Sequence, residues 1–361
     1  MVPVRVPVAA RISSSQFRGE LRDQRVIVSC GHDRAVANPG MFIAALGCNL
    51  AWGLVGLGLE SSSRTRVEGQ HVKIVEITYR YDASDAVARP RPSDPDSARD
   101  RLDEGSRTIA ALLDSLSEGT GTARRVIPVD PRDLGLATGD RSVPEQRPYA
   151  AVLGCSDARV PIELIFNEGP NDLFVVRVAG NGLGSEVLGS LKYAVDHLGG
   201  SLKLVVVLGH SGCGAVSAAV DVFLDPRTYL SLAAKHSLRN ILDRLLVVGA
   251  CDGETDDCGL RTGSDAPTRF SEALIEAAIV SNAALAAYTV QQEIGSGDPH
   301  VLRAAYGVYL LASRQIWAPR SASAACAGLA YPPADQSAFE DFADAVVRSD
   351  RIAALLAQGA Q

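Results

Sequence analysis

The chain has 361 residues, of which 47% are hydrophobic and 21% are charged, and its formal net charge is -7. This length is sufficient for one large domain or two smaller ones. The acidic balance argues against a nucleic-acid partner, which would require a basic surface. The seven cysteines lack tight, regular spacing and indicate no disulfide framework. A reducing compartment, the cytoplasm, is therefore the expected location.

Residues 1–96 form a predicted N-terminal extension of unknown role. Within it, residues 40–59 carry no charged side chain and are numerous enough to span a bilayer, and arginines precede them. Their glycines weaken an isolated helix in water, so the alternative is a glycine-rich segment that packs on the domain or is poorly ordered. Residues 71–81 alternate in polarity and predict a half-exposed strand. Residues 82–97 are rich in proline and predict a linker.

Residues 97–361 form a second predicted domain, in which apolar strands alternate with helices. The predicted strands are 149–154, 173–179, 202–209 and 301–311, and the predicted helices are 97–118, 161–166, 185–198, 214–247 with a break at Asp225, 270–294 and 336–357. This alternation predicts βαβ units, and hence an α/β fold with a mainly parallel central β-sheet flanked by helices. Residues 119–148 are predicted to be a proline- and glycine-containing crossing to the core strand, and residues 250–267 a surface loop.

Two of the predicted strands end in a glycine that is followed by a cluster of reactive side chains. Cys155, Asp157 and Arg159 follow the first strand, and His210 and Cys213 follow the third. In a parallel sheet, ligands bind beyond the carboxyl ends of the strands. Two such clusters are therefore expected to converge on one site.

The residue types of the two clusters indicate metal chemistry. Two thiolates and one imidazole, from Cys155, Cys213 and His210, suit zinc, and three protein ligands leave a fourth position open, as in catalytic sites. Asp157 could accept a hydrogen bond from a water on the metal or displace that water. Arg159 could hold this carboxylate away from the metal through a two-pronged ion pair. The alternative is two unrelated buried thiols and a loop histidine.

The sequence resembles the beta-class carbonic anhydrases from about residue 97 to near its C-terminus. The resemblance is carried by Cys155–Val160 and Gly209–Gly214, and also by 172–181 and 191–195. It implies one zinc ion per subunit, bound by Cys155, His210 and Cys213, with Asp157 and Arg159 as a catalytic dyad. The implied reaction is the reversible hydration of carbon dioxide to bicarbonate and a proton by attack of zinc-bound hydroxide. The implied assembly is a homodimer or a higher homo-oligomer.

Two positions depart from the family pattern. Ala158 stands where the family most often has serine, and Glu168 stands where it often has an amide. If residue 168 contacts substrate, its carboxylate would repel bicarbonate. Two other functions are compatible with the same pattern, namely hydrolysis of carbonyl sulfide or carbon disulfide on the same scaffold, and a non-catalytic zinc-containing assembly protein. Membrane contact through residues 40–59 is a further possibility.

Overall fold

The computed structural model describes residues 73–81, 90–118, 121–135, 143–233, 236–251, 266–295, 298, 300–319 and 328–357. The predicted apolar segment 40–59 lies outside the described residues, and so does most of the predicted loop 250–267.

The described strands are β1 (Lys73–Tyr81), β2 (Gly121–Val129), β3 (Ala150–Gly154), β4 (Leu173–Arg177), β5 (Leu204–His210), β6 (Arg303–Tyr309) and β7 (Ile316–Trp317). The described helices are α1 (Pro95–Glu118), α2 (Ile162–Ile165), α3 (Ser185–Leu198), α4 (Gly214–Leu224), α5 (Arg227–Ala233), α6 (His236–Cys251), α7 (Ala266–Ile294), α8 (Gln336–Val347) and α9 (Asp350–Ala357).

A five-stranded sheet with the order β4-β3-β5-β6-β7 forms the centre of the fold. Its first four strands are parallel neighbours, and only β7 runs antiparallel, beside β6. The predicted fold class, α/β with a mainly parallel sheet flanked by helices, is therefore confirmed. Because β3 and β5 pair directly, with Gly154 opposite Leu208, the residues that follow them leave the sheet side by side.

Both faces of this sheet are buried, because side chains alternate along a strand and helices cover each face. On one face, Leu153 and Val207 belong to a core that includes α3, α4 and α7. On the other face, Val152 and Val206 pack with α1 and α2. Every residue of β3 and β5 is buried, which agrees with the continuous apolar runs that predicted these strands.

A second, two-stranded sheet pairs β1 with β2 in parallel. Residues 119–148 were expected to be a crossing to the core strand, and the strand that lies within them, β2, was not predicted. Its Gly, Pro and adjacent arginines give a weak local signal, and pairing with β1 supplies what the local pattern lacks. The predicted half-exposed strand is also more open than expected, since Tyr79 and Tyr81 are 49% and 48% exposed. Strand β1 precedes the predicted domain boundary at residue 97, which stays a prediction.

Two helix boundaries differ from the predicted ones, and capping explains both. Helix α1 begins at Pro95, inside the predicted linker, where the Asp94 carboxylate accepts the backbone N–H of Ser97 at 2.8 Å. The single helix expected over residues 336–357 is two helices. The Ser349 hydroxyl stands between them, donates to the Val346 carbonyl at 2.6 Å and accepts from the Ile352 N–H at 3.4 Å.

Among the described residues, one helical stretch, Phe270–Ile294, has the length and hydropathy of a membrane span. Of its most apolar window, 78% is buried inside the protein. The same stretch contributes Ala278, Ala283 and Ala287 to the core against the sheet. Its apolar composition is therefore accounted for by packing within the fold.

Candidate metal centre

The two reactive clusters meet at the carboxyl ends of β3 and β5, as the sequence predicted. Cys155, His210 and Cys213 are all buried, and their potential ligand atoms lie within 4.8 Å of one another. The two sulfur atoms are 4.0 Å apart. Parallel pairing of the strands brings Cys155 and His210 together, and Cys213 comes from the turn that immediately precedes α4.

The Cys155 sulfur is held by backbone that follows the neighbouring strand β4. The Gly180 N–H donates to Cys155 Sγ at 3.3 Å, and the Gly180 carbonyl accepts from Asn282 Nδ2 at 3.0 Å. Gly180 has a φ of +66°, and a Cβ there would lie 2.9 Å from Leu245 Cδ1. Glycine is therefore required here, both for the left-handed backbone and for the close approach.

The tautomer of His210 follows from its hydrogen bond. Nδ1 lies 3.1 Å from the Ser211 carbonyl oxygen, which can only accept, so Nδ1 carries the proton. In the neutral imidazole, Nε2 then presents a lone pair. Nε2 is buried and has no hydrogen-bond partner within the described part of the chain. A buried, unsatisfied lone pair beside two thiols fits a metal ion. The donor set of Cys155, His210 and Cys213 is therefore suited to holding one.

The two thiols share their protons unequally. The contact between the two sulfurs lowers the pKa of Cys155 and, together with burial, raises that of Cys213. The Gly180 N–H also favours the Cys155 thiolate. These contacts favour the thiolate of Cys155 over that of Cys213. A divalent cation would displace the remaining proton, so its affinity would rise with pH.

Asp157 and Arg159 form the two-pronged ion pair that the sequence predicted. Arg159 Nε donates to Asp157 Oδ1 at 3.0 Å, and Nη2 donates to Oδ2 at 2.7 Å. The Arg159 backbone N–H also reaches Oδ1, at 2.8 Å. These bonds hold the pKa of Asp157 well below its usual range, so the carboxylate is ionised at neutral pH. Asp157 Oδ2 lies 3.8 Å from His210 Nε2, so the pair borders the three potential ligands.

Arg177, the last residue of β4, fastens the loop that carries Cys155 and Asp157. Its Nε donates to the Cys155 carbonyl at 3.0 Å, and its Nη2 donates to the Asp157 carbonyl at 2.6 Å. One guanidinium therefore sets the separation between the backbone of a potential ligand and that of the neighbouring carboxylate.

Replacing Arg177 with methionine is expected to lower stability by about 1–3 kcal/mol, because two backbone carbonyls lose a charged donor. Chemical denaturation of the wild type and the variant would measure this. Arg227→Met is a suitable control, because the Arg227 side chain is 88% exposed and, among the described residues, bonds only to Asp225 at a helix start. An Arg177→Met protein as stable as the control would show that the two hydrogen bonds of the Arg177 guanidinium contribute nothing to stability.

Glu168, the unusual position in the family pattern, is completely buried. Arg101 of α1 engages both carboxylate oxygens, with Nε 2.9 Å from Oε1 and Nη2 on Oε2. The Arg101 guanidinium also stacks on the ring of Tyr149, 4.5 Å from its centre. Tyr149 precedes β3, whereas Cys155 follows it, so this ion pair lies toward the amino end of the strand. The negative charge of Glu168 is thus neutralised by Arg101.

Some residues that support the site were not identified from sequence as doing so. Arg177 was noticed only as part of the family-like stretch, and Asn282 sits in a helix whose alanine-rich pattern indicated packing alone. A charged residue at the end of an apolar strand was the available signal for Arg177. No local signal marks Asn282, because its contact with Gly180 spans 102 positions in sequence.

Comparison with known proteins adds a family match over part of the chain to this geometry. Residues 150–309 match the protein-family model described as carbonic anhydrase. Carbonic anhydrase 2 of Mycobacterium tuberculosis is 50% identical over 91 residues, which are 25% of this chain and 40% of that protein. The carbonic anhydrase of Mycolicibacterium smegmatis is 52% identical over 76 residues, which are 21% of this chain and 36% of that protein.

Among solved structures, a Coccomyxa beta-carbonic anhydrase in complex with acetazolamide aligns with a TM-score of 0.37 and 21% identity, over 48% of this chain and 72% of that one. The chain spans about 40% of the length of the curated relatives that it matches first. The family match contains both motif regions on which the resemblance was based, and it confirms that resemblance. Residues 150–309 of the chain are therefore similar to the carbonic anhydrase family.

Proposed function

We propose that the chain is a zinc-dependent carbonic anhydrase, which hydrates carbon dioxide reversibly to bicarbonate and a proton. Cys155, His210 and Cys213 would hold one zinc ion. The observation that carries the proposal is a buried group of two sulfurs and His210 Nε2 beside the Asp157–Arg159 pair, in which Nε2 has no hydrogen-bond partner among the residues that the structure describes. The family match of residues 150–309 supports the same reaction.

Zinc in this position would act as a Lewis acid that lowers the pKa of a water molecule toward neutrality. Two thiolates offset the charge of the ion, so we expect activity to increase at alkaline pH. His210 contributes through its tautomer, because the Nδ1–H bond to the Ser211 carbonyl keeps the Nε2 lone pair free.

Asp157 would orient the attacking nucleophile by accepting its proton in a hydrogen bond. Its Oδ2 is the oxygen nearer to His210 Nε2. Arg159 would act on Asp157 rather than on the substrate, since its guanidinium and backbone N–H hold both carboxylate oxygens. This arrangement keeps an ionised acceptor beside the site while restraining its approach to a metal.

The carbon dioxide site would lie along the backbone that follows β4. Val176 and Val178 are partly buried and pack against the core, and Gly180 contacts Cys155. Carbon dioxide has no charge, and a small apolar wall would admit it while disfavouring bulk water.

The decisive experiment is stopped-flow hydration of carbon dioxide across pH, on purified full-length protein of known zinc content. Rapid turnover that increases toward alkaline pH would support the proposal. Absence of turnover at every pH, with zinc fully bound, would contradict it. The same zinc-loaded protein should then be tested with carbonyl sulfide and carbon disulfide, since hydrolysis of either would identify the alternative enzyme on this scaffold.

Assembly and location are separate proposals. We propose a homodimer or larger homo-oligomer in the cytoplasm, with residues 1–96 as an extension to the catalytic domain. Light scattering coupled to gel filtration would give the molar mass directly, and a monomer would exclude the assembly. Membrane contact through residues 40–59 would be tested by cell fractionation of the full chain against a form that lacks residues 40–59.

A further inference from the structure

The turn between the two potential ligands His210 and Cys213 is connected to a buried carboxylate on another helix. The backbone N–H of Gly212 donates to Glu276 Oε1 at 2.9 Å. Glu276 lies in α7, is 9% exposed, and is 64 positions away from Gly212 in sequence. A buried glutamate side chain is uncommon unless it is paired, so its contact with this turn calls for a physical explanation.

The other carboxylate oxygen of Glu276 binds the C-terminal helix. Arg351 of α9 donates to Glu276 Oε2 through Nε, at 3.0 Å, and also through Nη2. The same guanidinium lies 5.9 Å from the centre of the Trp317 ring, at the outer limit of a cation–π contact. The path from α9 to the turn therefore runs from Arg351 through Glu276 to the Gly212 N–H.

The geometry of the turn shows why this contact matters. Gly212 has a φ of +63°, a left-handed conformation that reverses the chain between His210 and Cys213. Ser211 is held by β6 and the residues after it, because its N–H donates to the Tyr309 carbonyl at 3.0 Å and its hydroxyl accepts from the Leu311 N–H at 2.9 Å. Glu276 restrains Gly212, the neighbour of Cys213, in the same way, because it accepts the Gly212 N–H.

The negative charge of Glu276 must also be compensated. A second carboxylate near two thiolates would oppose their ionisation, because like charges repel at short range. The Arg351 guanidinium offsets the charge of Glu276 and fixes its orientation at the same time. Glu276 can thus accept the Gly212 N–H without adding an uncompensated negative charge beside the cluster.

We propose that Glu276 is a positioning residue for the metal ligand Cys213, and that Arg351 holds Glu276 in place and neutralises it. The inference rests on the proposed metal site. It predicts that the C-terminal helix α9 contributes to metal retention although it supplies no ligand.

The test measures metal directly rather than turnover. Zinc-loaded wild type and Glu276→Ala are mixed with an excess of a chromogenic chelator, and the rate of zinc release is recorded. The cobalt-substituted proteins give thiolate-to-cobalt absorption bands that report ligand geometry. We expect Glu276→Ala to release zinc about 10–100-fold faster, the range typical of groups that orient metal ligands, and to shift the cobalt bands.

Asp103→Ala is the matched control, because Asp103 is 7% exposed and likewise accepts a backbone N–H, that of Leu329 at 2.8 Å. We expect it to reduce stability without changing zinc release or the cobalt bands. The double variant Glu276→Gln with Arg351→Met keeps a side-chain oxygen for the Gly212 N–H and removes the opposing guanidinium. Its zinc release should return toward the wild-type rate, which a loss of stability alone would not explain.

Zinc release from Glu276→Ala at the wild-type rate, with unchanged cobalt bands, would overturn the inference while leaving the proposed function intact. If Glu276→Ala does not fold, Arg351→Met takes its place, with faster release again expected and an unchanged rate again contradicting the inference. If the wild-type protein does not bind metal through Cys155, the proposed function is overturned as well. The failure of the inference and the failure of the proposed function are therefore distinguishable.

Discussion

Replacing Cys155 with serine is expected to remove stably bound zinc and to reduce carbon dioxide hydration to the background rate. The Cys155 sulfur is buried, lies 4.0 Å from the sulfur of Cys213 and accepts the Gly180 N–H, so the structure already favours its thiolate. A serine hydroxyl ionises far less readily and is a poor zinc ligand. Groups that only orient ligands already contribute about 10–100-fold in affinity, so loss of a ligand should cost more.

Zinc content after gel filtration, together with stopped-flow hydration, measures both parts of this prediction. Tyr149→Phe is a control for folding, because it removes one oxygen from a fully buried side chain just before the other end of β3. It should keep its zinc. A Cys155→Ser protein that retains zinc and turnover at wild-type levels would exclude Cys155 from the ligand set.

Replacing Arg159 with alanine is expected to reduce turnover by about 10²–10⁴-fold, the range typical of a lost acid–base group, while the metal stays bound. None of the three potential ligands is altered. Asp157 loses the guanidinium that engages both of its oxygens. The freed carboxylate, whose Oδ2 is already 3.8 Å from His210 Nε2, could then occupy the open metal position.

Protonation of Asp157 would not explain this loss. Arg159 lowers the pKa of Asp157, so removing Arg159 lets that pKa rise toward the ordinary value of about 3.9. The carboxylate would still be ionised at the neutral and alkaline pH of the assay. We therefore expect the activity deficit to persist from neutral to alkaline pH.

Arg159→Lys separates charge from geometry, because an ammonium group cannot reproduce the two-pronged contact. We expect it to recover part of the lost turnover and to retain zinc fully. The cobalt-substituted alanine variant should show altered absorption bands if Asp157 has become a ligand. Full activity in Arg159→Ala would contradict the role that we assign to Arg159.

The sequence alone was sufficient to predict the α/β fold class and the convergence of the two reactive clusters. Strands β3 and β5 are continuous apolar runs that end in glycine next to Cys155 and His210. Such runs are typical of strands that are covered on both faces, as in a parallel sheet with helices on each side. Because parallel strands end at one edge, the order of residues along the chain also predicted that the clusters meet.

The strand β2 and the contacts that support the site could not be predicted in this way. Strand β2 depends on its pairing with β1, and its own sequence has little strand character. The partnership of Arg101 with Glu168 spans 67 positions, and that of Glu276 with Arg351 spans 75. Local periodicity records which face of an element is apolar, but not which distant polar group will meet it.

The sequence by itself thus determined the chemistry of this protein: two sulfurs, one imidazole and an adjacent Asp–Arg pair at the ends of buried strands. Only the tertiary structure decided how these groups are held. Arg177 fastens the Cys155 loop, Gly180 supports the Cys155 sulfur, and Glu276 secures the turn before Cys213. The physical reason is that ligand type is a property of single residues. Ligand position, in contrast, depends on hydrogen bonds between elements that become neighbours only when the chain folds.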